Sequence, residues 1–214
     1  MRIPDQEHLA LPWRIRELVP GFELEDAWAL PEVSGTREDF GPYLSLLTSG
    51  DPVRTSEPLA RALWIARDLL GRWFGIGEVT RAAEPVPGEL PFPGSIAARL
   101  PDDLAGTADA MRLGSTPFVP VYRTETEFAA EISNRTVHGV LHVGWRQTAS
   151  GRYSPQMAVY VKPRGLFGRA YLRFIKPFRY LIVYPAMEHT VARRWQARDI
   201  AGRLPARLGV RHPA

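Results

Sequence analysis

Residues 136–195 constrain the fold more than any other part of the chain. Two apolar strand patterns, TVHGVLHVGWRQ and YSPQMAVYVKP, run there in succession, joined by a turn at Ser150-Gly151. A long aromatic segment follows, RGLFGRAYLRFIKPFRYLIVYPAMEHTVARRW. Within it Leu166, Tyr171, Phe174, Phe178, Leu181 and Ile182 recur mostly at spacings of three and four, the mark of one apolar stripe along a helix. Pro177 and Pro185 fall inside this stripe. Each removes a backbone donor, so the helix is expected to bend or break there. Strands feeding a terminal helix with a broad apolar face predict a sheet laid against that helix. Such a pairing can hold a small molecule between its layers.

The preceding segment extends the sheet. FVPVYRT is a candidate strand, and EFAAEIS is another, with Phe128, Ala130 and Ile132 on one face and Glu127, Ala129 and Glu131 on the other. A turn at Asn134-Arg135 leads into the strand from Thr136 to Gln147, giving an antiparallel meander. Nearer the start, Phe22, Leu24, Asp26 and Trp28 share one face of a further strand by simple alternation, and DFGPYLSLLTS predicts a short helix from Phe40 to Leu47. The clearest helical pattern is residues 57–74, with Ser56 as cap, Pro58 in the first turn and Gly75 past the end. Its Trp64 and Trp73 read as packing residues. Residues 75–116, with Pro85, Pro87, Pro91, Pro93 and Pro101, form a Pro-rich excursion, laid over a cavity mouth or across the surface.

Composition sets the class. The chain of 214 residues, 45% hydrophobic and 23% charged, is long enough to bury a core as one generous domain. It has no cysteine, which excludes disulfides, thiolate metal sites and thiol nucleophiles and agrees with a reducing, cytoplasmic setting. The opening MRIPDQEHLALPWRIRELV lacks the apolar run of a signal peptide, and LIVYPAM is too short to span a bilayer, so a soluble protein is expected. Charge is uneven: residues 161–214 hold 12 Lys+Arg against 2 Asp+Glu, while residues 1–160 hold 15 against 21. Without a recognised binding motif this skew does not predict a nucleic-acid partner. Pairing between the basic end and the acidic first part is the default expectation.

Candidate chemistry is sparse. His138 and His142 share one strand face, but Val137, Leu141, Val143 and Trp145 make the other face the better interior. The histidines are therefore expected to point outward or to an edge, and Glu127 and Glu131 to lie on a wet face. No set of ligands completes a metal site. Glu188 and His189 are neighbours on a helix and do not face each other. Neither GxSxG nor SxxK occurs, and the glycine pairs at 75–77 and 165–168 lack the spacing of a nucleotide loop. Gly165 and Gly168 instead bring the last strand tightly into the helix, where Lys162, Arg164 and Arg169 surround its N-terminus. Neither a cofactor nor a metal is called for.

The run VYVKPRGLFGRAYLRFIKPFRYLIVYPAM, preceded by NRTVHGVLHVGW, resembles a bacterial domain-of-unknown-function family. The matching positions are Pro163, Gly165, Gly168, Tyr171, Pro177, Phe178, Ile182 and Val183, and WRIRELVPGFELEDAWALP and ALWIARDLLGRWFGIG look similar as well. That family is grouped with the START-like (SRPBCC, Bet v 1-like) helix-grip proteins. The resemblance implies an α+β fold with a curved antiparallel sheet wrapped around a long C-terminal helix, and patterning adds the helix near residues 57–74. It implies one START-like domain over residues 1–200, with the excursion 75–116 inside it, while the sequence of the tail at 201–214 is expected to be disordered. The leading functional expectation is an apolar small molecule held between sheet and terminal helix. Trp145, Met157, Tyr171, Phe174 and Phe178 are the cavity-lining candidates. An enzyme acting in that cavity is the alternative, with Tyr122, Tyr160 and His142 as the groups to inspect. A third reading places Arg164, Arg169, Arg173, Lys176, Arg179, Arg193 and Arg194 in one basic face for a membrane or protein surface.

Overall fold

The structure, a computed structural model, describes residues 1–48, 92–108, 111, 113 and 118–203. The helix read over residues 57–74, residues 75–91 of the Pro-rich excursion, and the tail beyond residue 203 lie outside these residues.

Five strands form one antiparallel sheet among the described residues. They are β1 (Glu23–Ala29), β2 (Val119–Arg123), β3 (Glu127–Ser133), β4 (Val137–Gln147) and β5 (Tyr153–Pro163), in the order β1-β5-β4-β3-β2. The hairpins β2–β3, β3–β4 and β4–β5 are the meander expected from the alternating pattern, and β1 closes the sheet beside β5. Gly151, with φ of 80°, makes the tight turn into β5. Pro120 sits in edge strand β2, where a missing donor is tolerated.

Helices α1 (Asp5–Leu9), α2 (Ile15–Leu18) and α3 (Phe40–Thr48) precede β2. The C-terminal segment is two helices, α4 (Gly165–Phe178) and α5 (Tyr184–Arg203), joined by a single π turn over Arg179–Val183. The terminal helix is thus broken, as its two prolines predict, and the division lies between Pro177 and Pro185. Neither proline has an N–H to continue the α ladder, and the intervening backbone takes the wider turn. Gly168 lets α4 approach the β3–β4 turn, because a Cβ there would stand 2.2 Å from the Thr136 carbonyl oxygen.

Both faces of the sheet are covered. On one, Val143, Trp145, Phe128, Ala130 and Met157 pack against Phe40, Tyr43 and Leu44 of α3 and Tyr184, Val191 and Trp195 of α5. On the other, Val140, Ala129, Ala158 and Tyr160 meet Ile3, Trp13, Ile15 and Leu18 from the N-terminal segment and Ile96 and Leu104 from the second half of the excursion. This second layer overturns the expectation of a wet face. His138, His142, Glu127 and Glu131 are all buried beneath it. Trp13 lies directly over Gly144, where a Cβ would meet its ring at 2.5 Å.

Candidate functional site

Beneath the N-terminal layer most buried polar groups bind one another, while the Trp13 indole N–H, His142 Nδ1 and the Gln156 side-chain oxygen have no partner among the described residues. Glu131 accepts from Ser95 Oγ, from the Ile96 backbone N–H at 3.0 Å and from His138 Nε2 at 2.8 Å. Glu127 accepts from His142 Nε2 at 3.1 Å, from the Tyr122 hydroxyl at 3.0 Å and from the Arg14 backbone N–H. Burial opposes its charge, yet these donors hold the Glu127 carboxyl below the ordinary carboxylate range. Tyr122 is pushed above the usual phenol range by burial and by Glu127. The Gln156 amide donates to His8 Nδ1 at 3.0 Å, so His8 Nε2 carries the proton donated to the Tyr160 hydroxyl at 2.8 Å. Burial, then the neighbouring His142, lowers the His8 pKa to about 3. His8 is neutral at ordinary pH.

Signals for these pairs stood in the sequence. Two glutamates four apart in β3 and two histidines four apart in β4 flank one tight turn. With Ser133 opposite His138 and Ala129 opposite His142, each glutamate meets its histidine across the same diagonal.

The face toward the C-terminal helices carries a different cluster, built from two backbone irregularities. In β1 the register slips between Leu24 and Asp26, a β-bulge at Glu25. The bulge turns Asp26 and Trp28 toward the C-terminal helices, while Phe22 and Leu24 pack into the opposite layer. The single face expected for Phe22, Leu24, Asp26 and Trp28 is therefore split in two.

The π turn presents Arg179 and Tyr180 to the same place, with Tyr184 opening α5. Asp26 is fully buried and accepts from Arg179 Nη2 at 2.8 Å, from the Tyr184 hydroxyl at 2.9 Å and from the Tyr180 hydroxyl at 3.4 Å. Arg179 also donates to the Tyr184 oxygen. Desolvation outweighs the attraction of Arg179, and the Asp26 carboxyl is raised above its ordinary range. Burial lifts the Tyr180 hydroxyl to about 12. Trp28 packs against the Tyr184 and Tyr180 rings at 4.6 and 5.6 Å between centroids, and its buried indole N–H has no partner among the described residues. Lys176 pairs with Glu25 at 3.1 Å beside the cluster.

A family model described as protein of unknown function (DUF2867) matches residues 18–186. The chain belongs to the DUF2867 family. The family span holds all five strands and the whole Asp26–Trp28–Arg179–Tyr184 cluster, whereas His8, Trp13 and Arg14 of the opposite layer precede it. Comparison with curated proteins and with solved structures yields no match.

The residues singled out in this DUF2867 chain fall in different places. Trp145 is buried among the rings of Phe40, Tyr43 and Trp195, and its indole N–H donates to the Thr36 carbonyl at 2.8 Å. Met157 is buried between Val143 and Trp28, its register partners in β4 and β1. Tyr171 is half-buried on α4, Phe174 is 62% exposed, and the side chain of Phe178 lies outside the described residues. Tyr122, Tyr160 and His142 are buried on the face away from the C-terminal helices. The basic positions divide as well. Lys176 and Arg179 are paired with acids of β1, while Arg164, Arg169, Arg173, Arg193 and Arg194 are exposed. Asp26, Trp28 and Tyr184 were not legible as site residues, because neither the bulge nor the π turn has a spacing signature.

Proposed function

We propose that this DUF2867 protein binds an apolar small molecule between the sheet and the C-terminal helices. Asp26, Arg179 and Tyr184 hold its polar end and Trp28 stacks on its body. The observation that carries the reading is the meeting of a β-bulge and a π turn around one buried acid. Such irregular turns re-aim side chains at functional sites, and here both aim at Asp26. The unpartnered Trp28 N–H supports it, since a buried donor without an acceptor costs about 1–3 kcal/mol that a ligand oxygen recovers. Met157, beside Trp28 in the sheet, continues the apolar wall. An antiparallel sheet with helices from the chain's C-terminal segment on one face also supports the START-like, helix-grip reading of the fold.

Binding is favoured over catalysis because the titratable tyrosines and histidine first considered for chemistry belong to the opposite layer. Native mass spectrometry of the protein purified from its own host tests the proposal. A small-molecule adduct is expected on the native chain and is lost in a Trp28→Ala variant that keeps the parent's circular dichroism. Absence of an adduct, together with unchanged tryptophan fluorescence on titration with anilinonaphthalene sulfonate, overturns it.

A further inference from the structure

Helix α4 divides into three sectors along its length. Gly168 and Leu172 are buried against the rest of the protein. Leu166 and Phe167, 86% and 59% exposed, stand with Ala170 and Phe174 on a second sector by their spacing of three, four and seven. Arg169 and Arg173, four apart, form a third sector and are exposed. Leu181, 77% exposed, follows in the π turn. Of the six large hydrophobic residues exposed among the described residues, four thus fall between 166 and 181. Such a concentration marks a contact surface rather than scattered surface leucines.

Charge selects the partner. Residues 161–187 contain six Lys+Arg and no Asp or Glu. Of these, Lys176 and Arg179 are neutralised by β1, and among the described residues neither Arg169 nor Arg173 has an ion pair. A symmetric contact of this helix with a second copy brings together two segments that carry arginines and no acids. No described helix is long and apolar enough to cross a membrane. A short helix with exposed Leu and Phe beside unpaired arginines is the pattern that lies flat in the interface of an anionic bilayer.

We propose that α4 docks this protein on the surface of membranes rich in anionic phospholipid. The apolar sector enters the headgroup boundary, and Arg169 and Arg173 meet lipid phosphates. Docking is independent of the ligand site, since none of these side chains belongs to the Asp26 cluster.

Co-sedimentation of the full chain with vesicles tests this directly. Vesicles containing phosphatidylglycerol are expected to pull down the protein, phosphatidylcholine vesicles much less, and about 0.5 M salt releases it. Arg169→Gln with Arg173→Gln is expected to weaken partitioning about fivefold per arginine. Leu166→Ser with Phe167→Ser weakens it about tenfold or more. All four side chains are exposed, so thermal melting checks that the variants fold. Arg16→Gln with Arg99→Gln, on the opposite layer, leaves binding unchanged. Equal binding to both vesicle types, no binding to either, or variants that bind like the parent overturns the proposal. So does a dimer in light scattering that the α4 variants dissolve.

Discussion

The two faces of one sheet treat buried charge in opposite ways. Under the N-terminal layer, Glu127 and Glu131 each gather three kinds of donor, with Arg14 for Glu127 and Ser95 and Ile96 for Glu131 coming from segments far away in the chain. Their strand pairs with β4 in unbroken register, although its pairing with β2 slips between Pro120 and Tyr122. Under the C-terminal helices, Asp26 is reached only because β1 bulges and the last helix opens into a π turn. Bonded carboxylates fasten one layer to another on the N-terminal side, although the Trp13 indole N–H, His142 Nδ1 and the Gln156 side-chain oxygen there have no partner among the described residues. A β-bulge and a π turn meeting around a buried acid, beside an indole N–H without a partner among the described residues and a partly buried arginine, support the proposal that this face takes a ligand.

The sharpest test of this contrast is to remove one group from each face. Glu131→Ala leaves the Ser95 hydroxyl, the Ile96 N–H and the His138 N–H buried without their acceptor. It is expected to cost about 3–5 kcal/mol in chemical denaturation. Arg179→Met is expected to cost less, about 2–3 kcal/mol, because Asp26 sheds its charge by taking a proton. Adding Asp26→Leu to Arg179→Met then restores most of the loss. If Arg179→Met proves costlier than Glu131→Ala, the assignment of fastening to one face and binding to the other is wrong.

Acidity separates the faces more gently. His8 is neutral in the folded protein with its pKa near 3, against an unfolded value near 6.5. Its contribution is complete above the unfolded value and drains away as pH falls toward the folded one. At pH 5 the loss is about 2 kcal/mol. Asp26 works in the other sense: its raised folded pKa makes stability fall as pH rises out of the ordinary carboxylate range. Urea denaturation between pH 7 and pH 5 is expected to show a decline that flattens in His8→Gln.

Alternation in the sequence was enough to place β2 to β5 and their turns, and Pro177 and Pro185 marked where the terminal helix divides. Alternation says which residues share a face but not what covers that face. Glu127, Glu131, His138 and His142 looked solvated because their partners Arg14 and Ser95 lie 113 and 36 residues away in the chain. The bulge at Glu25 was invisible for a different reason. It inserts one residue into a period of two, and a short strand carries too few repeats to reveal the slip.

The pairing of the first strand with the last has a consequence for synthesis. Trp28 and Asp26 leave the ribosome early, but β5 is more than 120 residues later, and Arg179 and Tyr184 later still. Three hairpins of the sheet are local and can zip as they emerge, whereas β1 must wait at a vacant edge. The Asp26 cluster is therefore the last part of the sheet to be completed. A truncated chain can own most of the fold and still lack the Asp26 cluster, so the proposed ligand capture belongs to finished molecules only.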